Sequence, residues 1–152
     1  MDEPNLSCLK VLVVDDIASV RTLLRGQLRV FGINNIIEAC DGIAGLEVLA
    51  REAVDLVITD LAMRPMDGVE FTRRLRTGDE VGNPYVPILM VSSHTEHSLV
   101  RGALDAGITQ FLAKPLTAKA LGARLMAIVE GTGAQVRSNS FSGPDIGLLK
   151  SR

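Results

Sequence analysis

Val11-Leu12-Val13-Val14-Asp15-Asp16 is an unbroken apolar run, mostly β-branched, that ends abruptly in two carboxylates. A strand covered by helices on both faces reads this way, because neither side of a doubly packed parallel sheet leaves room for polar alternation. Working outward, four more short apolar runs recur, at Asn35 to Ala39, Leu56 to Thr59, Pro87 to Val91 and Thr109 to Ala113. The runs at 11, 56 and 87 are almost continuously apolar and are expected to be central. Between them lie longer stretches with apolar residues at steps of three and four, the period of an amphipathic helix. The first carries Ile17, Val20, Leu24, Leu28 and Phe31 and stops at Gly32. The second follows Asp41-Gly42 with Leu46, Leu49, Ala50 and Ala53 on one side. A third, from Gly68 to Arg76, sets Phe71 and Leu75 inward and Arg73, Arg74 and Arg76 outward. A fourth spans Glu96 to Ala106, and the fifth, Ala118 to Glu130, bears Leu121, Leu125, Ile128 and Val129. Five alternating units of this kind predict an open, doubly wound α/β sheet.

The chain has 152 residues, 47% hydrophobic and 22% charged, with a net charge of −2. At that size one core can form without disulfides or structural metal. Cys8 and Cys40 are isolated and suit a reducing, cytoplasmic setting. The longest apolar run, Leu125 to Val129, is far too short for a membrane span, and no basic block marks a nucleic-acid footprint. Membrane insertion and direct nucleic-acid binding are therefore not expected. The division expected is an N-terminal extension over 1–9, a folded domain over 10–131, and a flexible tail over 132–152, where Gly-Thr-Gly-Ala-Gln gives way to Ser138-Asn139-Ser140-Phe141-Ser142-Gly143-Pro144 with no helical or strand period.

An open parallel sheet gathers its ligands at the carboxyl ends of its strands. Those ends carry Asp15-Asp16, Asp60, Ser92-Ser93 and Lys114-Pro115. Three neighbouring carboxylates repel one another unless a cation compensates. An all-oxygen donor set without Cys or His favours Mg2+ over zinc, and with Mg2+ and Lys114 present the charges sum to about zero. Such a site is suited to an incoming phosphoryl group. Asp60, closing a central apolar strand ahead of the turn at Met66-Asp67-Gly68, is the expected nucleophile, with Lys114 and Ser92 holding the transferred oxygens.

Taken in chain order, Val11 to Asp16, Asp55 to Asp60 followed by Met66-Asp67-Gly68, Ile88 to Ser92, and Phe111-Leu112-Ala113-Lys114-Pro115 resemble the response-regulator receiver domain of two-component signalling, over about Lys10 to Glu130. The resemblance implies a (βα)5 flavodoxin-like fold with strand order 2-1-3-4-5. It implies that Asp60 takes phosphate from a histidine kinase or a histidine phosphotransfer protein. Asp16, Asp60 and the backbone carbonyl of Ala62 would ligate Mg2+, with Asp15 acting largely through water. Ser92 and Phe111 stand at the switch positions, and Lys114-Pro115 at a cis peptide. Phosphorylation would draw Ser92 inward, let Phe111 turn, and change the surface of the fourth helix, fifth strand and fifth helix that a downstream protein reads.

The sequence departs from the family pattern after the phosphoacceptor, where Met63-Arg64-Pro65 places the proline one position late. Ala62 offers no polar side chain to an attacking water, whereas His94 could, so this pair is expected to tune the phosphoryl lifetime. His94 and His97 are otherwise expected to be exposed, and Thr77 to Pro87 to form a loop. With no output domain in view, the expectation is a stand-alone response regulator rather than an enzyme. Two alternatives use this or a related α/β fold. One is a phosphorylation-independent adaptor, against which the full acidic set argues. The other is an aspartyl-nucleophile phosphatase, which needs a second acid where Ala62 stands. Neither GxGxxG nor GxxxxGK[ST] follows the first strand, so a nucleotide site is not expected.

Overall fold

The computed structural model describes residues 5–134. A short 3-10 turn, Leu6–Cys8, leads into β1 (Lys10–Val14), α1 (Ala18–Val30), β2 (Asn35–Ala39), α2 (Gly42–Arg51), β3 (Leu56–Asp60), α3 (Gly68–Thr77), β4 (Ile88–Ser92), α4 (His97–Ala106), β5 (Gln110–Ala113) and α5 (Ala118–Ala134). All four strand pairings are parallel and the order is β2-β1-β3-β4-β5. The sequence-based expectation of order 2-1-3-4-5, with the three most apolar runs central, holds.

Alternation along each strand divides the core into two layers. Leu12, Val14, Val57, Ile88, Met90 and Phe111 face one way and pack with Leu46, Leu49, Phe71, Leu75 and Val100 of α2, α3 and α4. Val11, Val13, Ile58, Leu89, Val91 and Leu112 face the other and meet Leu24, Leu28, Leu121, Leu125 and Ile128 of α1 and α5. β3 and β4 are buried at every position, which is why their sequences carry no polar alternation.

Several details differ from the sequence reading. Ile17 is the residue capping α1 and is 50% exposed, so the stripe of that helix starts with the partly buried Val20. Ala50 and Ala53 are exposed, and Ala53 lies beyond the end of α2. The face that α2 buries is Gly45, Leu46, Val48 and Leu49, where larger side chains and close approach fill the layer better than alanine does. Arg76 does not share the solvated face of Arg73. Its guanidinium turns inward and donates to the backbone carbonyls of Gly107, Pro84 and Val86 at 2.6–3.0 Å. α5 runs through to Ala134, past the boundary expected at 131, and the remainder of the expected tail lies outside the described residues. Leu6, in the expected N-terminal extension, is buried against the α1/α5 layer.

Candidate functional site

β1 and β3 are hydrogen-bonded neighbours with Val14 level with Thr59, so the residues after them, Asp15 and Asp60, emerge side by side. One carboxylate oxygen from each of Asp15, Asp16 and Asp60 lies within 4.8 Å of the others. Asp15 is 2% and Asp60 6% exposed, while Asp16 faces solvent. Burial raises the Asp15 carboxyl above its ordinary range. The Ile17 N–H it accepts at 2.9 Å opposes that, Asp60 adds to it, Lys114 opposes it, and Asp16 adds a little more. Two buried acids beside a third are an arrangement that costs free energy unless a cation offsets it.

The partial offset inside the protein is Lys114, whose Nζ lies 3.6 Å from Asp60 Oδ1. β5 delivers it. Ser92 pairs with Ala113 across β4 and β5, and the Lys114 N–H donates to the Ser92 carbonyl at 2.9 Å, so the two side chains leave adjacent strand ends. Ser92 is fully buried, and its Oγ accepts the His94 N–H at 2.9 Å, leaving its own hydrogen free to donate. Phe111 is 1% exposed and packs in the α2/α3/α4 layer. His94 and His97 are exposed, as the sequence predicts. Ala62 lines an open cleft with Asp16, Met63, Arg64, Pro65 and Asp67. Both the Lys114-Pro115 and Arg64-Pro65 peptides are cis, the first expected and the second not.

The backbone beside Asp60 is held by the Met66-Asp67-Gly68 turn and by two residues the sequence reading did not single out, Thr59 and Arg21. A methyl group on Gly68 would stand 2.1 Å from the Asp60 carbonyl oxygen, so only glycine lets the start of α3 close onto the end of β3. The Gly68 N–H donates to the Leu61 carbonyl at 2.8 Å, and Asp67 caps α3 by accepting from Glu70 N–H. The Thr59 hydroxyl donates to the Asp60 carbonyl at 3.0 Å. Arg21 reaches from α1 to donate to the Asp15 carbonyl at 2.7 Å while paired with Glu38 of β2 at 3.0 Å, and Arg25 shares the same glutamate. No local sequence signal marks Arg21 or Thr59, since their partners are set by tertiary packing. The Met66-Asp67-Gly68 turn was legible, but not how closely it approaches Asp60.

The profile of the response regulator receiver domain matches residues 11–126. The chain belongs to that family. The receiver is 33% identical over 122 residues to chemotaxis protein CheY-3 of Vibrio cholerae, covering 80% of this chain and 92% of the relative. It is 31% identical over 122 residues to chemotaxis protein CheY of Pseudomonas aeruginosa, covering 80% and 97%. Among solved structures, Vibrio cholerae CheY4 superposes with a TM-score of 0.72 at 29% identity, covering 79% of this receiver and 98% of that chain. The receiver domain of the Pseudomonas aeruginosa sensor histidine kinase PA1611 shares the fold at a TM-score of 0.72 and 24% identity, covering 81% and 98%, and that structure holds a magnesium ion in its active-site cleft. The receiver is thus a two-component signalling protein of the CheY-like type. No helix among its described residues is long and apolar enough to cross a membrane.

Proposed function

We propose that this receiver is a response regulator, acting in the cytoplasm, that accepts a phosphoryl group on Asp60 from a histidine kinase or a histidine phosphotransfer protein. The reaction depends on Mg2+, and it changes the surface of α4, β5 and α5 that a downstream protein docks on. One observation carries the reading: three carboxylates within 4.8 Å of one another, two of them buried, with a single ammonium 3.6 Å from the central one. The unit that does this includes the buried Leu6 and runs through α5 to Ala134.

The donor set fits a hard divalent cation. It is all oxygen, and three carboxylates against one lysine leave about two negative charges for such an ion to balance. Asp15, Asp16, Asp60 and the Ala62 carbonyl would hold Mg2+, which when bound neutralises charge on phosphoryl oxygens and aids in-line transfer. The chain's own groups do the rest. A carboxylate oxygen of Asp60 forms a bond to phosphorus as the bond from phosphorus to the donor's imidazole nitrogen breaks, and that nitrogen keeps the electron pair. The Lys114 ammonium and the Ser92 hydroxyl donate to the transferred oxygens, which positions the group and shields the growing charge. As Ser92 turns toward the phosphoryl group, room opens for Phe111 to reorient beside α4. Loss of phosphate is self-catalysed. Ala62 gives the attacking water no polar partner, His94, two residues beyond Ser92, would offer one, and exchanging Ala62 for Asn should alter the dephosphorylation rate.

Incubation with acetyl phosphate and Mg2+ should add about 80 daltons, the mass of one phosphoryl group. The gain should vanish in Asp60→Asn and on chelation of Mg2+. An unchanged mass in the wild-type protein, or an equal gain in Asp60→Asn, would refute the proposal.

A further inference from the structure

The cleft beside the acidic cluster holds one feature that the phosphoacceptor reading leaves unused. Its lining is Asp16, Ala62, Met63, Arg64, Pro65 and Asp67, so Arg64 is its only cation. Arg64 is exposed, and among the described residues its guanidinium has no carboxylate within 4.0 Å. The other arginines of the neighbouring α3 are engaged, Arg73 with Glu70, Arg74 with Glu80 and Arg76 with three carbonyls. The Arg64 backbone lies between the buried Met63 side chain and Pro65, in a loop closed by the Asp67 cap, so the side chain is rooted at the cleft instead of swinging from a loose segment.

A phosphodonor reaching Asp60 through this cleft is an anion passing Asp16 and Asp67. Lys114 meets it from the β5 side but is already drawn to Asp60. A free guanidinium on the β3–α3 side offsets the two mouth carboxylates, and its planar fork matches phosphoryl oxygens better than an ammonium does. We infer that Arg64 is the donor-recognising residue of this site: a second cation besides Lys114 that draws in and orients the anionic phosphodonor before transfer. This rests on Asp60 being the phosphoacceptor. Arg64 contributes to encounter, not to the bond-breaking step, so its effect belongs in the apparent affinity for donor and depends on salt.

The test uses the full chain with saturating Mg2+, following phosphorylation by acetyl phosphate and by phosphoramidate by intact mass across donor concentrations. Arg64→Gln should lower the second-order rate constant about fivefold at low salt. The gap should close near 1 M salt, where the Debye length is about 3 Å. The maximal rate at saturating donor and the dephosphorylation rate should stay at wild-type values, and Arg64→Lys should recover most of the loss. Arg29→Gln, which removes the same charge from the last turn of α1, should have no effect. Equal rates in Arg64→Gln and wild type, a loss that salt does not relieve, or a fall in the maximal rate would each overturn the inference while leaving the Asp60 reading intact. Absence of phosphorylation in the wild type would refute that reading and this inference together.

Discussion

Arg76 shows how much one side chain can hold in place. Its stem lies against Gly107 at the end of α4, and its guanidinium satisfies carbonyls from the loop before β4 and from Gly107, whose φ of +118° turns the chain out of α4. Burial lowers its pKa to about 10, so it is still charged at neutral pH. Arg76→Ala should therefore cost about 3 kcal/mol, since charge-assisted hydrogen bonds are worth roughly 1.5–3 kcal/mol and their loss leaves acceptors without partners. Arg76→Lys should recover only part, because one ammonium nitrogen would have to replace donors that two separate guanidinium nitrogens supply. Chemical denaturation of the two variants checks this. The sequence hid the residue for a geometric reason: Arg76 stands one turn beyond the buried Thr72, at the margin of the apolar stripe, where a long stem can cross into the interior. Asp15 is the opposite case, a carboxyl whose burial is unfavourable until a cation arrives. Asp15→Asn keeps the side-chain oxygen that accepts from Ile17 N–H but removes the repulsion with Asp60 and Asp16. It should raise the melting temperature of the Mg2+-free protein by a few degrees and reduce the further rise that Mg2+ produces, as measured by calorimetry.

Among the elements, the junction of β3 and α3 is the most tightly constrained. Gly68→Ala would force a methyl group to 2.1 Å from the Asp60 carbonyl, and backbone must move to relieve it. We expect a loss of about 3 kcal/mol, the upper part of the range for overpacking. The rate of phosphorylation should fall at temperatures where the variant is still folded, because the displaced atom belongs to the proposed phosphoacceptor. Circular dichroism paired with the mass assay separates the two effects. The strands were legible because burial on both faces imposes a continuous apolar run, and the acids were legible because each closes such a run. Helix faces were read less well. Around α2 the small Ala50 and Ala53 fit the period but are exposed, Ala53 beyond the helix end, while Gly45, which the apolar period overlooks, packs where a methyl group would stand 3.0 Å from Val14. The Arg21 hydrogen bond to the Asp15 carbonyl and the Thr59 hydrogen bond to Asp60 depend on neighbours fixed only by the fold.

For the whole molecule, an ion held at the acidic cluster would couple its binding to folding. The cluster exists only in the folded chain, so Mg2+ at a hundred times its dissociation constant should stabilise the protein by about 2.7 kcal/mol. The stabilisation should be lost in Asp16→Asn, as read from denaturation midpoints with and without the ion. A wild-type midpoint indifferent to Mg2+ would contradict the proposed site.

The strand order has one more consequence. Asp15 and Asp60 meet because β3 crosses over to lie directly against β1, after the chain has gone out to the β2 edge and returned through α2. Lys114 joins them only when β5 closes the opposite edge. A chain that has assembled only its first half, β1 to β3, has all three acids but lacks Lys114. Chemical competence thus serves as a gauge of completed assembly, and during refolding the ability to take phosphate should return with the last strand docked, not with the first helices formed.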